Sequence, residues 1–132
     1  MTEKRKVVII DDEEMLCHLI KMNLEATGRY EVFFAVDPRE GIELVKEYLP
    51  DLVLLDLMMP HMEGSEVAAK LMELDSTKNV EIIFLTALAE KSQANIESGL
   101  ISGREFISKP VTTGELIRRI EKVLGKRQQQ HF

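Results

Sequence analysis

The sequence predicts an α/β fold: an open, doubly wound parallel sheet of five strands with helices on both faces. Three observations carry that prediction. Short apolar runs alternate with helical patterns five times along the 132 residues. Three of the runs, Val7-Val8-Ile9-Ile10, Leu52-Val53-Leu54-Leu55 and Ile82-Ile83-Phe84-Leu85, are unbroken apolar stretches, as strands buried on both faces require. Four of the runs stop at polar groups: Asp11-Asp12, Asp56, Thr86 and Lys109-Pro110.

The first strand is expected at 7–10. After Asp12, Leu16, Leu19, Ile20, Asn23, Leu24 and Thr27 follow a 3.6-residue period, and Gly28 suits the helix stop. The second strand, 32–36, is less clean and fits a sheet edge. Asp37-Pro38-Arg39-Glu40 reads as N-cap, proline at the first helical position and capping-box glutamate. That helix carries Ile42, Leu44, Val45 and Tyr48, and Pro50 ends it. The third strand is expected at 52–55, and the third helix runs from about Ser65 through Val67, Ala68, Leu71 and Met72. A fourth strand at 81–85 precedes a short polar helix, about Glu90 to Ser98, whose apolar anchors are Ala94 and Ile96. The fifth strand, 105–108, lies nearer the other edge. The last helix opens at the capping box Thr112-Thr113-Gly114-Glu115 and buries Leu116, Ile117, Ile120, Val123 and Leu124. Residues 126–132 hold too little apolar content to pack, so a mobile tail is expected beyond a single domain at 1–125.

Right-handed crossovers restrict the topology. The order 2-1-3-4-5 suits five strands, with two helices on one face and three on the other. It sets the first and third strands side by side, so Asp11, Asp12 and Asp56 meet in one crevice at the switch point where such sheets keep their sites.

The composition, 45% hydrophobic and 30% charged, is that of a soluble globular protein. A net charge of −6 argues against nucleic-acid binding. No apolar run approaches the roughly 18 residues that span a membrane, and the N-terminus offers no secretory h-region. A cytoplasmic protein is expected. The single cysteine, Cys17, falls in a helical stretch and reads as a small buried hydrophobe. His18 and His61 lack ligand partners in sequence and read as surface residues.

Three carboxylates at one sheet edge repel one another unless a cation compensates. Oxygen ligands without His or Cys point to a hard ion, Mg²⁺ or Mn²⁺. Asp12 and Asp56 are placed to bind it directly and Asp11 through water. Asp56 can also attack a phosphoryl group to form an aspartyl-phosphate. Phosphoryl transfer needs positioning and charge neutralisation around the equatorial oxygens. The metal, the Lys109 ammonium and the Thr86 hydroxyl would take one oxygen each. Singly, each residue has an ordinary explanation: an acidic helix start, a turn aspartate, a β-branched strand residue, a solvated lysine. The conjunction of all four at one edge favours the functional reading.

Ile9-Ile10-Asp11-Asp12-Glu13, Asp56-Leu57-Met58-Met59-Pro60 with Gly64, Thr86-Ala87 and Lys109-Pro110 occur in an order and spacing that resemble a known family. The chain resembles the receiver domains of bacterial two-component response regulators, most of all the single-domain type, over about residues 5–125. The resemblance implies a flavodoxin-like (βα)5 fold and phosphorylation of Asp56 by a sensor histidine kinase or phosphotransfer protein. It implies Mg²⁺ on Asp12, Asp56 and the Met58 main-chain carbonyl, and a cis Lys109-Pro110 bond. Thr86 and Phe106 would form a switch pair that reshapes the surface of the fourth helix, fifth strand and fifth helix. Output would pass to a downstream protein or a homodimer. Such a domain catalyses only its own phosphorylation and dephosphorylation.

Two features depart from the family pattern. Gly103 stands three residues before Phe106 instead of four, so a rearranged connection into the fifth strand is expected. Met58 and Leu88, two residues beyond Asp56 and Thr86, are both apolar and offer nothing to orient a hydrolytic water, so slow self-dephosphorylation is expected. The rivals are an aspartate-nucleophile phosphatase, a flavodoxin-type cofactor binder and a non-phosphorylated receiver-like scaffold. The first usually wants a general acid where Met58 stands. The second would meet repulsion from Asp11-Asp12-Glu13-Glu14. Intact Asp56, Thr86 and Lys109 argue against the third.

Overall fold

The computed structural model describes residues 3–87, 100–101 and 104–129. Its elements are β1 (Arg5–Ile10), α1 (Glu14–Glu25), β2 (Tyr30–Ala35), α2 (Pro38–Tyr48), β3 (Leu52–Asp56), α3 (Gly64–Glu73), β4 (Glu81–Thr86), β5 (Leu100–Ile101), β6 (Arg104–Ser108) and α4 (Thr113–Gln129). The strands form one sheet in the order β2-β1-β3-β4-β6-β5. Its first five members pair in parallel and carry the expected 2-1-3-4-5 order.

The apolar strands divide their side chains by parity. Val7, Ile9, Leu52, Leu54, Ile83 and Leu85 join one core with Cys17, Leu24, Leu116 and Ile120 of α1 and α4. Val8, Ile10, Val53, Leu55, Ile82 and Phe84 join a second with Val45, Val67 and Leu71 of α2 and α3. Period-2 alternation feeding two cores is why these runs are apolar at every position.

The helix ends follow local chemistry. Asp37 accepts the Arg39 N–H at 2.9 Å ahead of α2, whose first residue is Pro38. Thr112 Oγ1 accepts the Glu115 N–H at 3.2 Å ahead of α4. The Glu115 carboxylate pairs with Arg118 at 2.7 Å. Gly28 takes a φ of 78° in the turn after α1.

Several details differ from the sequence expectation. Leu19 belongs to the helical apolar period yet is half exposed, because β2 and α4 cover only the stripe through Cys17, Ile20 and Leu24. β2 starts two residues early at Tyr30 and leaves Val36 exposed beyond its end. α4 continues through Gln129, past the boundary at 125, since Lys, Arg and Gln are good helix formers. β5 is a two-residue strand antiparallel to β6, with Leu100 opposite Glu105 and Ile101 opposite Arg104. Two residues are too few to show a period. Gly103, on which the expected rearrangement of this connection turns, lies outside the described residues. So does the helix expected over Glu90–Ser98. Among the described residues no helix is long and apolar enough to cross a membrane.

Candidate functional site

Strand register gathers the polar groups. Ile10 pairs with Leu55, Asp56 with Leu85, and Thr86 with Ser108. Main-chain bonds carry the sheet one step further: Leu57 N–H donates to Leu85 O at 2.9 Å and Lys109 N–H to Thr86 O at 2.8 Å. Asp11, Asp56, Thr86 and Lys109 therefore emerge along a single edge, as the sequence predicts. The Lys109-Pro110 peptide is cis, also as the resemblance implies.

The loop after Asp56 is closed by Gly64, whose N–H donates to Leu57 O at 2.8 Å. A Cβ on Gly64 would stand 2.3 Å from Asp56 O and 2.9 Å from the Leu57 Cα, so this close approach admits only glycine. The backbone contact ties α3 directly to the residue at the centre of the site.

Asp11, Asp56 and Thr86 are buried, whereas Asp12 is exposed. Carboxylate oxygens of Asp11, Asp12 and Asp56 all lie within 4.8 Å of one another. The Lys109 ammonium enters this acidic group, 2.9 Å from Asp11, 2.8 Å from Glu13 and 3.4 Å from Asp56. Its side chain is only 13% exposed, which sets aside the solvated-lysine explanation. Asp11 Oδ1 accepts the Glu13 N–H at 2.9 Å, and Asp56 Oδ1 accepts the Met58 N–H at 3.4 Å. Asp11 Oδ2 is buried without a well-directed hydrogen bond, although the Lys109 ammonium faces it.

The electrostatics follow from burial and crowding. Burial, then the Asp11 charge, pushes the Asp56 carboxyl up to about 8 against the opposing pull of Lys109. Burial likewise raises Asp11. Burial lowers Lys109, but the hydrogen bond to Glu13 and the close Asp11 carboxylate outweigh it and hold the ammonium protonated above its usual range. One ammonium does not balance this much negative charge. Three carboxylates with a poorly satisfied buried oxygen, and no His or Cys ligand among them, fit a hard divalent cation.

The remaining predicted residues divide. Thr86 lies on the edge, with its Oγ1 3.3 Å from Ala87 O. Phe106 sits on β6 opposite Phe84, partly buried against the second core. It lines a cavity of about 330 Å³ together with Pro110, Val111, Glu115 and Arg119. Met58 is exposed at the mouth of the site. Leu88 lies outside the described residues. Cys17 is buried beneath the cluster, its thiol donating to Asp11 O at 3.4 Å and pushed up to about 12, first by burial. His18 and His61 are surface residues.

Sequence reasoning missed three contacts. The Glu13 carboxylate holds Lys109, and Arg119 holds Glu105 at 2.8 Å and the Phe106 carbonyl at 2.9 Å. Each joins residues far apart in the chain, so no local pattern announces it.

The sequence model of the response regulator receiver domain matches residues 7–121. The chain belongs to the receiver domain family. A response regulator receiver domain protein from Clostridium thermocellum is 27% identical, with a TM-score of 0.82 over 96% of this chain and 98% of that one. The receiver domain of the response regulator AraT from Geobacillus stearothermophilus is 26% identical, with a TM-score of 0.80 over 98% and 100%. A third relative supports the shared fold alone at 20% identity. It is the receiver domain of a sensor histidine kinase from Pseudomonas aeruginosa, TM-score 0.79 over 93% and 99%, solved with magnesium coordinated in its active-site cleft. Receiver domains are in general signalling domains rather than enzymes, and they interact with histidine kinases or phosphotransfer proteins. This receiver carries an acidic pocket, Asp11, Asp12 and Asp56, that is consistent with phosphoryl acceptance.

Proposed function

We propose that this receiver is a phosphorylation-dependent switch that accepts a phosphoryl group on Asp56 from a histidine kinase or phosphotransfer protein in the cytoplasm. One observation carries the proposal: a buried carboxylate flanked by two others within 4.8 Å and by an ammonium at 3.4 Å. An Asp56 oxygen attacks phosphorus while the bond from phosphorus to the donor's imidazole nitrogen breaks, and that nitrogen keeps the electron pair. Asp11, Asp12 and Asp56 would hold Mg²⁺, or Mn²⁺ in its place, with the Met58 main-chain carbonyl as a further ligand. Bound there, the ion supplies positive charge against a phosphoryl oxygen. Lys109 neutralises a second oxygen and the Thr86 hydroxyl donates to a third.

Movement of Thr86 toward the phosphoryl group opens space for Phe106, and the surface built on β6 and α4 changes for a downstream protein or a second copy. The exposed apolar stripe Met15, Leu19 and Met22 begins beside the site on α1 and offers a protein donor a surface. Apolar Met58 at the mouth, and by sequence the equally apolar Leu88, offer no polar group to guide a hydrolytic water, so the phosphorylated state is long-lived. The test is incubation with acetyl phosphate and Mg²⁺ followed by intact mass. One phosphoryl adduct, lost in Asp56→Asn, supports the proposal; an adduct that persists in Asp56→Asn refutes it.

A further inference from the structure

We propose that Glu13 is a positioning residue that grips Lys109 in the unphosphorylated protein and restrains phosphoryl acceptance. The inference rests on the phosphoryl-accepting role of Asp56. Glu13 stands at the N-cap of α1, yet its side chain makes no capping hydrogen bond. Its backbone is fixed on both sides: its N–H donates to Asp11 Oδ1 at 2.9 Å, and its carbonyl accepts the Cys17 N–H at 3.1 Å. The carboxylate instead meets Lys109 Nζ at 2.8 Å, across 96 residues of sequence.

A lysine ammonium has three N–H donors. Here three carboxylates face it: Glu13 at 2.8 Å, Asp11 at 2.9 Å and Asp56 at 3.4 Å. The longest contact is the one to the phosphoryl acceptor. A phosphoryl oxygen on Asp56 must compete with these two shorter contacts for the ammonium. Asp11 is fully buried, so releasing its partner strands a carboxylate away from water. Glu13 is 59% exposed, so water solvates its carboxylate on release. Glu13 is the partner that lets go, and its grip sets part of the barrier to acceptance.

Removing the grip speeds acceptance. The contact is half exposed, so Glu13→Gln raises the phosphorylation rate roughly two- to fivefold, the scale of a partly solvated ion pair. The measurement is the rate of acetyl phosphate labelling at saturating Mg²⁺, with Mg²⁺ affinity determined separately by calorimetry. Glu13→Asp retains the charge but falls one methylene short of Lys109, so it behaves as Glu13→Gln. A mere charge effect would leave Glu13→Asp at the wild-type rate and overturn the proposal. So would a Glu13→Gln rate equal to wild type, or a gain matched by tighter Mg²⁺ binding. Wild-type protein that takes up no phosphoryl group on Asp56 refutes the acceptor role itself; an unchanged Glu13→Gln rate on a labelled Asp56 refutes only the grip.

Discussion

Asp56→Asn should make the metal-free protein more stable, although it removes the proposed phosphoryl acceptor. A carboxylate 4.8 Å away repels the Asp56 charge by about 3 kcal/mol at an effective dielectric constant of about 20, and Asp11 and Asp12 both lie within that distance. The Lys109 ammonium at 3.4 Å returns about 5 kcal/mol on the same basis. The charges leave a small net repulsion, and burial of the carboxylate adds to it. A gain of about 2 kcal/mol follows, or roughly 6–10 °C in Tm for a domain of this size. The pH dependence has a definite sign. The folded-state value of about 8 lies above the roughly 4 of an unfolded aspartate. The folded state therefore binds more protons between those limits, and stability present below pH 4 is lost as pH rises through 8. Thermal melts in EDTA from pH 4 to 9 should show that fall in wild type and a flatter profile in Asp56→Asn. Mg²⁺ should raise the wild-type Tm at pH 8 and leave Asp56→Asn far less affected. A metal-free Asp56→Asn less stable than wild type at pH 8 would refute the electrostatic reasoning.

Gly64→Ala pushes a methyl into the Asp56 carbonyl, 2.3 Å away. It should cost about 1–3 kcal/mol in urea denaturation and slow acetyl phosphate labelling, whereas a neutral effect on both would contradict the close approach. Met58→Asn places an amide at the exposed mouth of the site, where it can orient a water. Decay of the phosphorylated protein with Mg²⁺ present should be slow in wild type and faster in Met58→Asn. Wild-type loss within seconds would refute the long-lived signal.

The parts of this receiver that could be read from sequence are those set by short-range pattern. The doubled apolar runs at Val7–Ile10, Leu52–Leu55 and Ile82–Leu85 are diagnostic because each strand feeds two cores through alternate side chains. Strand order alone then brings Asp11, Asp12 and Asp56 together. What escaped depends on long-range geometry. Leu19 obeys the helical period but faces outward, since the width of the covered stripe depends on neighbouring elements. The two-residue β5 has no pattern to detect. The Glu13–Lys109 and Arg119–Phe106 contacts arise where chain segments meet at a sheet edge, and composition alone encodes neither. That Asp11 would be fully buried and Asp12 exposed was equally invisible, because two adjacent aspartates look alike in sequence.

Asp56 itself is the residue proposed to carry the phosphoryl group. Borohydride reduces an aspartyl-phosphate to homoserine, so trapping after acetyl phosphate treatment with Mg²⁺ and mapping the peptides locates the bond directly. Homoserine is expected at position 56 and at no other aspartate. Homoserine at Asp11 or Asp12, or phosphoryl incorporation with position 56 unmodified, would contradict it.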